Sequence, residues 1–575
     1  MKLSAVFLAA TGAAAVSIDY NSAPPNLSTL ANGTLFETWR PRAHVLPPSG
    51  KIGDPCMHYT DPKTGTFHVG FLHNGIAGAA TNDLTTYRDL LPGGAPSIVP
   101  GGQNDPVSMF DGSVMPSGID EKPTLLYTSV SHLPIHWSIP YNKGSETQSV
   151  AVSHDGGHTF TKLDQEPVIS SPPVDNVTAF RDPYAFQNPQ LDAISNSANG
   201  TWYVAISGGI HDDGPGMFLY RQSDPDFQHW EFLGQWWHEL SNATWGNGEW
   251  AGRWGFNFEV GNIFSLDNDG YNPDGEIFVT LGTEGSTFPI VPQVTSIHDM
   301  LWVSGNVSKV GGVTFTPTMA GFLDWGVSAY AAAGNILPAS SKVSSKNQVP
   351  DRFISYVWLT GDLYELNKKF PSGQQNWTGT LLLPRELNVQ IISNVVDNEF
   401  AHETEASWRV SRNDSGTVDL KTMGINIARE TKNALLSGSS FPESDLTLST
   451  PGLVPFQQSP KSKYFVLQAN ISFPSSARNS GLKSGFQILG SENESTNIYY
   501  QFSNESVMID LTDTSAAAKT TDGIFTSNEA GKLRLFDISQ KGKQEIETLD
   551  LTIVVDNAVL EVYANGRFAL STWAR

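Results

Sequence analysis

The chain has 575 residues, more than a single hydrophobic core holds, and a formal net charge of −23. That charge argues against nucleic acid or an anionic membrane as a partner and suits a neutral or cationic ligand. A lone cysteine, Cys56, excludes an internal disulfide framework, and 52 glycines and 15 tryptophans with only 16% charged residues favour strands and tight turns, hence an all-β protein.

In chain order, Lys2, an apolar stretch over 3–15 and small residues up to Ser17 read as a secretory leader, residues 1–17, too short to remain as a membrane anchor. N-x-S/T sequons recur from Asn26 to Asn504 and fit an extracellular, glycosylated surface. Residues 18–50, broken by Pro24-Pro25 and Pro47-Pro48, read as an irregular arm laid over the first domain. Short apolar runs follow at 67–73, 124–130, 201–208, 217–221, 276–281, 299–303 and 353–359, separated by turn clusters. Asp155-Gly156-Gly157 lies between two such runs and marks a hairpin, similar to the Asp-box turn of some propellers. So many short strands exceed the needs of one barrel and predict a β-propeller over 18–418, with no strict repeat to fix the number of blades. The stretch 419–436, with Met423, Ile425, Ile427 and Ala434 as apolar positions, is expected to be helical and, as 419–440, to connect two domains. Runs at 464–471, 497–502, 507–511, 532–538, 549–555 and 560–563 then predict a β-sandwich over 441–575. The chain stops just after a strand-like run, which leaves open whether that sandwich is whole.

The chemistry concentrates in three acidic stretches. Arg181-Asp182-Pro183 sets an acid between a cation and a proline. The proline biases Asp182 towards an extended backbone, and Arg181 offers a cation for a substrate oxygen or for keeping a nearby carboxylate ionised. Taken alone, the simpler account is a structural ion pair at a turn. Two further sites change that balance: Gly53-Asp54-Pro55, ahead of the run at 67–73, and Glu259 within Trp254-Gly255-Phe256-Asn257-Phe258-Glu259-Val260-Gly261-Asn262. Trp254, Phe256 and Phe258 suit either a sugar pocket or a core. His58, His68 and His73 lack metal-ligand spacing, Gly101-Gly102 is no phosphate loop, and no G-x-S-x-G elbow occurs, so no metal or cofactor is expected.

In these stretches the chain resembles glycoside hydrolase family 32, the β-fructofuranosidases, inulinases and fructosyltransferases. Arg181-Asp182-Pro183 matches that family's R-D-P motif; Asp54-Pro55 matches the core of N-D-P-N-G, with Gly53 and Cys56 in place of the asparagines; Glu259-Val260-Gly261 stands where E-C-P is usual; and Phe110-Asp111-Gly112-Ser113 is similar to F-S-G-S. The departures resemble the fungal fructosyltransferase branch, and the likeness continues through Leu133-Pro134-Ile135-His136-Trp137, Glu284-Gly285-Ser286 and Glu561-Val562-Tyr563-Ala564-Asn565-Gly566.

The resemblance implies a five-bladed propeller followed by a β-sandwich and retaining chemistry on a fructofuranosyl unit. It makes Asp54 the nucleophile, Glu259 the acid/base and Asp182 the transition-state stabiliser, with Asp111, Ile135, Arg181, Glu284, His298, Tyr364 and Glu365 as substrate contacts. Asn104-Asp105-Pro106 is a rival match for the nucleophile, but it stands too close to the Asp111 element; Glu284 is a rival to Glu259, better placed for binding. The expected protein is thus a secreted enzyme that cleaves sucrose and passes the fructosyl unit to sucrose, to a short fructo-oligosaccharide or to water. A mainly hydrolytic invertase or exo-inulinase is one alternative, and a non-catalytic glycan-binding propeller is another.

Overall fold

The computed structural model describes residues 24–285, 298–309, 311–361, 370–414, 416–443 and 446–575. The leader at 1–17 and the positions Tyr364 and Glu365 lie outside them. Five antiparallel sheets follow one another around an axis as the blades of a propeller, with inner strands Pro55–Thr60, Ser108–Met115, Val177–Gln187, Asn257–Asp267 and Ala329–Leu337. The arm before the first blade closes the ring: Gly50–Lys51 pairs in parallel with Trp377–Thr378 beside the fifth blade, and Val45 bridges Leu381.

All five inner strands share one irregularity. Each slips register against its neighbour at an equivalent step: between Cys56 and Tyr59, Met109 and Gly112, Arg181 and Tyr184, Glu259 and Asn262, and Tyr330 and Ala333. In four of them a non-glycine residue at the slip is left-handed: Met57 (φ 56°), Asp182 (φ 59°), Val260 (φ 47°) and Ala331 (φ 48°). A bulge bends a strand and re-aims the side chains beside it, and here five bulges ring the axis. Asp182 therefore lies on a strand, as its proline suggests, but is not itself extended.

The first half of the stretch expected to be helical, 419–427, is strand. Thr417–Ile427 pairs with Arg385–Val396 and Trp408–Asp414 in the sheet of the fifth blade, and only Arg429–Leu435 is helical. The reason lies in the spacing: Met423, Ile425 and Ile427 recur every two residues, the period of a strand, not of a helix. An exposed stretch that includes Phe441, Leu448, Leu453 and Phe456 leads on to the sandwich.

The sandwich has two four-stranded sheets. One runs Tyr464–Ile471, Leu549–Asp556, Val559–Ala564, Phe568–Trp573; the other runs Lys483–Ile488, Thr496–Gln501, Ser506–Asp510, Glu529–Lys532. The first packs on both faces. Leu551, Ile553 and Val562 meet Ile498 and Ile509 of the second sheet, whereas Val554, Tyr563 and Trp573 join Leu323, Leu387 and Met423 of the propeller in a second core.

A buried ionic seam crosses that junction. His44 of the arm sets Nδ1 2.6 Å from Asp556 and Nε2 2.7 Å from Glu561. Asp556 also accepts the amides of Arg42 and Ala43, and Glu561 accepts the Tyr563 hydroxyl at 2.5 Å. Arg385 pairs with Asp324, which also accepts from the amide and hydroxyl of Ser571.

Candidate active site

The bulges gather the acids. Asp54 precedes the first inner strand, its carbonyl held by the Leu72 amide at 2.9 Å. Asp111, Asp182 and Glu259 project from the second, third and fourth inner strands, and Tyr330 from the fifth. Arg181 sits among them with its guanidinium fully engaged: Nη1 donates to Glu146 at 2.8 Å, Nε and Nη2 to Glu259 Oε1 at 3.0 and 2.8 Å, and Nη2 to Glu284 at 3.1 Å. Glu146, buried on the second blade, accepts the Phe180 amide with its other oxygen at 2.7 Å. This ties the chain just ahead of Asp182 in place. Asp182 accepts the Val260 amide at 3.0 Å and donates its own amide to Thr128 Oγ1 at 2.9 Å, so two neighbouring blades fix it. Tyr330 donates to Glu259 Oε2 at 2.5 Å, and Asn257 to Glu284 at 2.8 Å. Both oxygens of Asp111 are buried without a partner among the described residues.

One guanidinium thus serves a crowd of carboxylates, and their proton affinities diverge. Burial, then the charge of Glu259, raises Asp54 to about 7. Burial and the Glu259 charge raise Glu284 to about 7 as well. Asp111 and Asp182 are pushed well above the usual carboxylate range, chiefly by burial. Glu259 goes the other way: burial is outweighed by Arg181, the Tyr330 hydroxyl and His298, which favour its ionised form. Protons are therefore held more tightly by Asp54, Asp111, Asp182 and Glu284 than by Glu259. Each charge acts on its neighbours, so a ligand that binds one of these acids shifts the others.

Of the site residues expected from sequence, Asp54, Asp111, Arg181, Asp182, Glu259 and Glu284 share this electrostatic cluster, and His298 contributes to it. Ile135 lies on the loop at the mouth; its neighbour His136 feels Arg181, His298 and Glu259. Arg181 holds carboxylates, the second of the two uses open to it. The rival Asp105 is fully buried elsewhere in the second blade, 2.5 Å from Lys162 and bonded to Tyr127. Trp254 and Phe258 are core; Phe256 alone of the three is partly open, stacked on Trp137. Cys56 is buried with its thiol pushed up by burial, so it is inert packing. Sequence reasoning missed Glu146 and Tyr330. A glutamate in Ser145-Glu146-Thr147 and a tyrosine among alanines carry no motif; only their arrival beside Arg181 and Glu259 marks them.

A five-bladed propeller with an appended sandwich and an axial funnel lined by several carboxyl groups suits glycoside hydrolysis, which works with a pair of acids. The profile of the glycosyl hydrolases family 32 N-terminal domain matches residues 44–398, and that of the family's C-terminal domain matches 428–575. The chain belongs to glycoside hydrolase family 32. A β-fructofuranosidase of Aspergillus kawachii, solved with glycerol, is 70% identical over 97% of this chain and 93% of its own, with a TM-score of 0.94. A fructosyltransferase from A. japonicus is 59% identical over 97% of this chain and 94% of its own, with a TM-score of 0.93. Among curated relatives, an invertase of Kluyveromyces lactis is 28% identical over 231 residues, 38% of this chain and 33% of that protein. The chain thus spans about a third of the length of that curated relative.

Proposed function

We propose that the protein is a secreted retaining enzyme that cleaves sucrose and transfers the fructosyl unit to a second sucrose, to a short fructo-oligosaccharide or to water. The observation that carries this reading is the cluster of acids from successive blades around Arg181, with Glu259 held by Arg181 and Tyr330 and Asp182 fixed by Thr128 and Val260. Retention needs one carboxylate to attack and a second, about 5–5.5 Å away, to protonate the leaving oxygen. Asp54 Oδ attacks C2, the C2–O bond to glucose breaks, and Glu259 gives its proton to the glucosyl oxygen. An acceptor hydroxyl then attacks C2, the ester to Asp54 breaks, and Glu259 takes the acceptor's proton.

For the first step Asp54 has to be ionised and Glu259 protonated, the reverse of the directions in which their surroundings push them, so a proton has to pass from the raised acids to Glu259. Fructosyl hydroxyls donating to Asp54 and Asp182 favour the ionised form of both and drive that exchange. Asp182, held rigidly by Thr128 and Val260, then faces the positive charge that develops on the ring. Asp111, Ile135, Arg181, Glu284 and His298 surround the substrate, and Tyr364 and Glu365 are assigned to the same role by family resemblance. The leader and the sequons support secretion, as do curated relatives described as extracellular exo-inulinases. The relative from A. japonicus named a fructosyltransferase favours transfer over hydrolysis.

Incubation with concentrated sucrose and separation of the products tests the reading. Glucose in excess of free fructose, with a fructosylated trisaccharide, is the expected outcome. Glucose and fructose in equal amounts with no trisaccharide would assign the protein to the hydrolases instead.

A further inference from the structure

The loop 131–140 of the second blade leaves the strand Thr124–Val130 and reaches Phe256, just ahead of the inner strand of the fourth blade. Among the described residues, positions 132–140 make no hydrogen bond outside their own loop; the local bonds are Ile139 N to His136 O and a turn between Ser138 and His136. Its firm attachment is aromatic. Trp137 stacks face to face on Phe256 of the fourth blade, with ring centroids 4.6 Å apart and planes 5° from parallel. The backbone of Gly285 closes the edge of that stack. Its φ is +83°, and a Cβ there would lie 2.7 Å from Phe256 and 2.9 Å from Trp137. Phe256 stands three residues before Glu259, its amide bonded to the Glu284 carbonyl at 2.8 Å, and Gly285 directly follows Glu284. The stack therefore bridges the loop to the two acids on the leaving-group side.

We propose that Trp137 is a positioning residue: its stack on Phe256 and Gly285 holds the loop bearing Ile135 over the funnel so that a sugar hydroxyl, rather than water, meets the fructosyl–Asp54 ester. The inference rests on the reading above. Asp54, Asp182 and Glu259 lie on or just before inner strands and, among the described residues, take no hydrogen bond from this loop, so cleavage and attack by water survive without it. Transfer differs because the acceptor is a whole sugar that must be held beside Glu259 for its hydroxyl to reach C2, and a misplacement of about 1 Å is enough to lose much of that rate. His136, beside Trp137 on the same loop, is within electrostatic reach of Arg181, His298 and Glu259.

The test compares wild type, Trp137→Ala and Trp137→Phe in concentrated sucrose, measuring trisaccharide, fructose and glucose. The expected result for W137A is a fall of about tenfold in the trisaccharide-to-fructose ratio, with fructose release at low sucrose within about twofold of wild type, and recovery of the ratio in W137F, which keeps a stacking ring. An unchanged ratio in W137A overturns the inference, and so does an equal loss of transfer and hydrolysis. If W137A is not recovered as folded protein, Trp137→Leu, which fills the space without the stack, carries the same comparison. A wild type that makes no trisaccharide overturns the functional reading itself, whereas a transferring wild type with an unaltered W137A overturns only the role of the stack.

Discussion

Around Arg181, one guanidinium faces Glu146, Glu259 and Glu284, with Asp54, Asp111 and Asp182 close by. At the propeller–sandwich seam, His44 and Arg385 face Asp556, Glu561 and Asp324. Both clusters are buried and both are assembled from distant parts of the chain. In the seam every carboxylate is met by a cation and by backbone or hydroxyl donors, and Asp556 and Glu561 lie below the usual carboxylate range because those donors outweigh burial. In the funnel acids outnumber cations, and Asp54, Asp111, Asp182 and Glu284 are pushed up. The seam is satisfied and holds two domains together. The funnel keeps unsatisfied charge that a polyhydroxylated substrate can relieve, the usual tension between stability and activity.

The largest expected effect breaks the funnel. Asp54→Asn removes the attacking carboxylate and should lower turnover of sucrose by about 10⁴-fold or more, with sucrose binding still measurable by calorimetry. Full activity in that variant would remove Asp54 from the nucleophile's role. The same variant sharpens the comparison through pH. A carboxyl raised to about 7 by folding contributes stability that is whole below its unfolded pKa near 4 and is lost as pH rises through about 7. D54N should therefore flatten the decline of Tm between pH 4 and 7.

Next in size is the seam. His44→Ala leaves Asp556 and Glu561 buried without their shared cation, a change worth about 3–5 kcal/mol of destabilisation. Thermal denaturation should show it, while kcat at a permissive temperature stays unchanged. Hydrogen bonds to Asp556 and Glu561 oppose burial and raise His44 to about 9. Its contribution is whole below an unfolded pKa near 6.5 and is lost as pH rises through about 9, so the wild-type Tm should drop there and that of H44A should not. The smallest effect belongs to Tyr330→Phe, which loses the 2.5 Å donor to Glu259. It should cost about tenfold in kcat/KM and move the alkaline limb of the rate profile upward, because a donor to the carboxylate no longer favours its charged form.

The sequence revealed the acids more readily than what surrounds them. Asp54, Asp182 and Glu259 sit beside prolines or aromatics that a family resemblance recognises. Glu146 and Tyr330 do not, because what places them is the angle between blades, which no local pattern records. The same divide runs through the fold. Short strands and turns announce a propeller, yet within the stretch 419–436, expected to be helical, residues 419–427 belong to the strand Thr417–Ile427. Its two-residue spacing of Met423, Ile425 and Ile427 was present, but there was no sign of the sheet partner that makes a strand of it. Ring closure by Gly50–Lys51 on Trp377–Thr378 joins positions more than three hundred residues apart and leaves no trace in either segment.

The slipped register shared by all five inner strands has a further consequence. What aims the carboxylates is how many residues each stave contains above and below its kink, more than which residues those are. Substitutions beside the acids, such as Gly53, Cys56, Val260 and Gly261 where the family usually carries asparagine, cysteine or proline, leave the hoop intact. Removing or adding a single residue would turn every side chain beyond that point to the opposite face. The architecture is tolerant of spelling and strict about length, and new specificities can be written onto its rim without disturbing the floor.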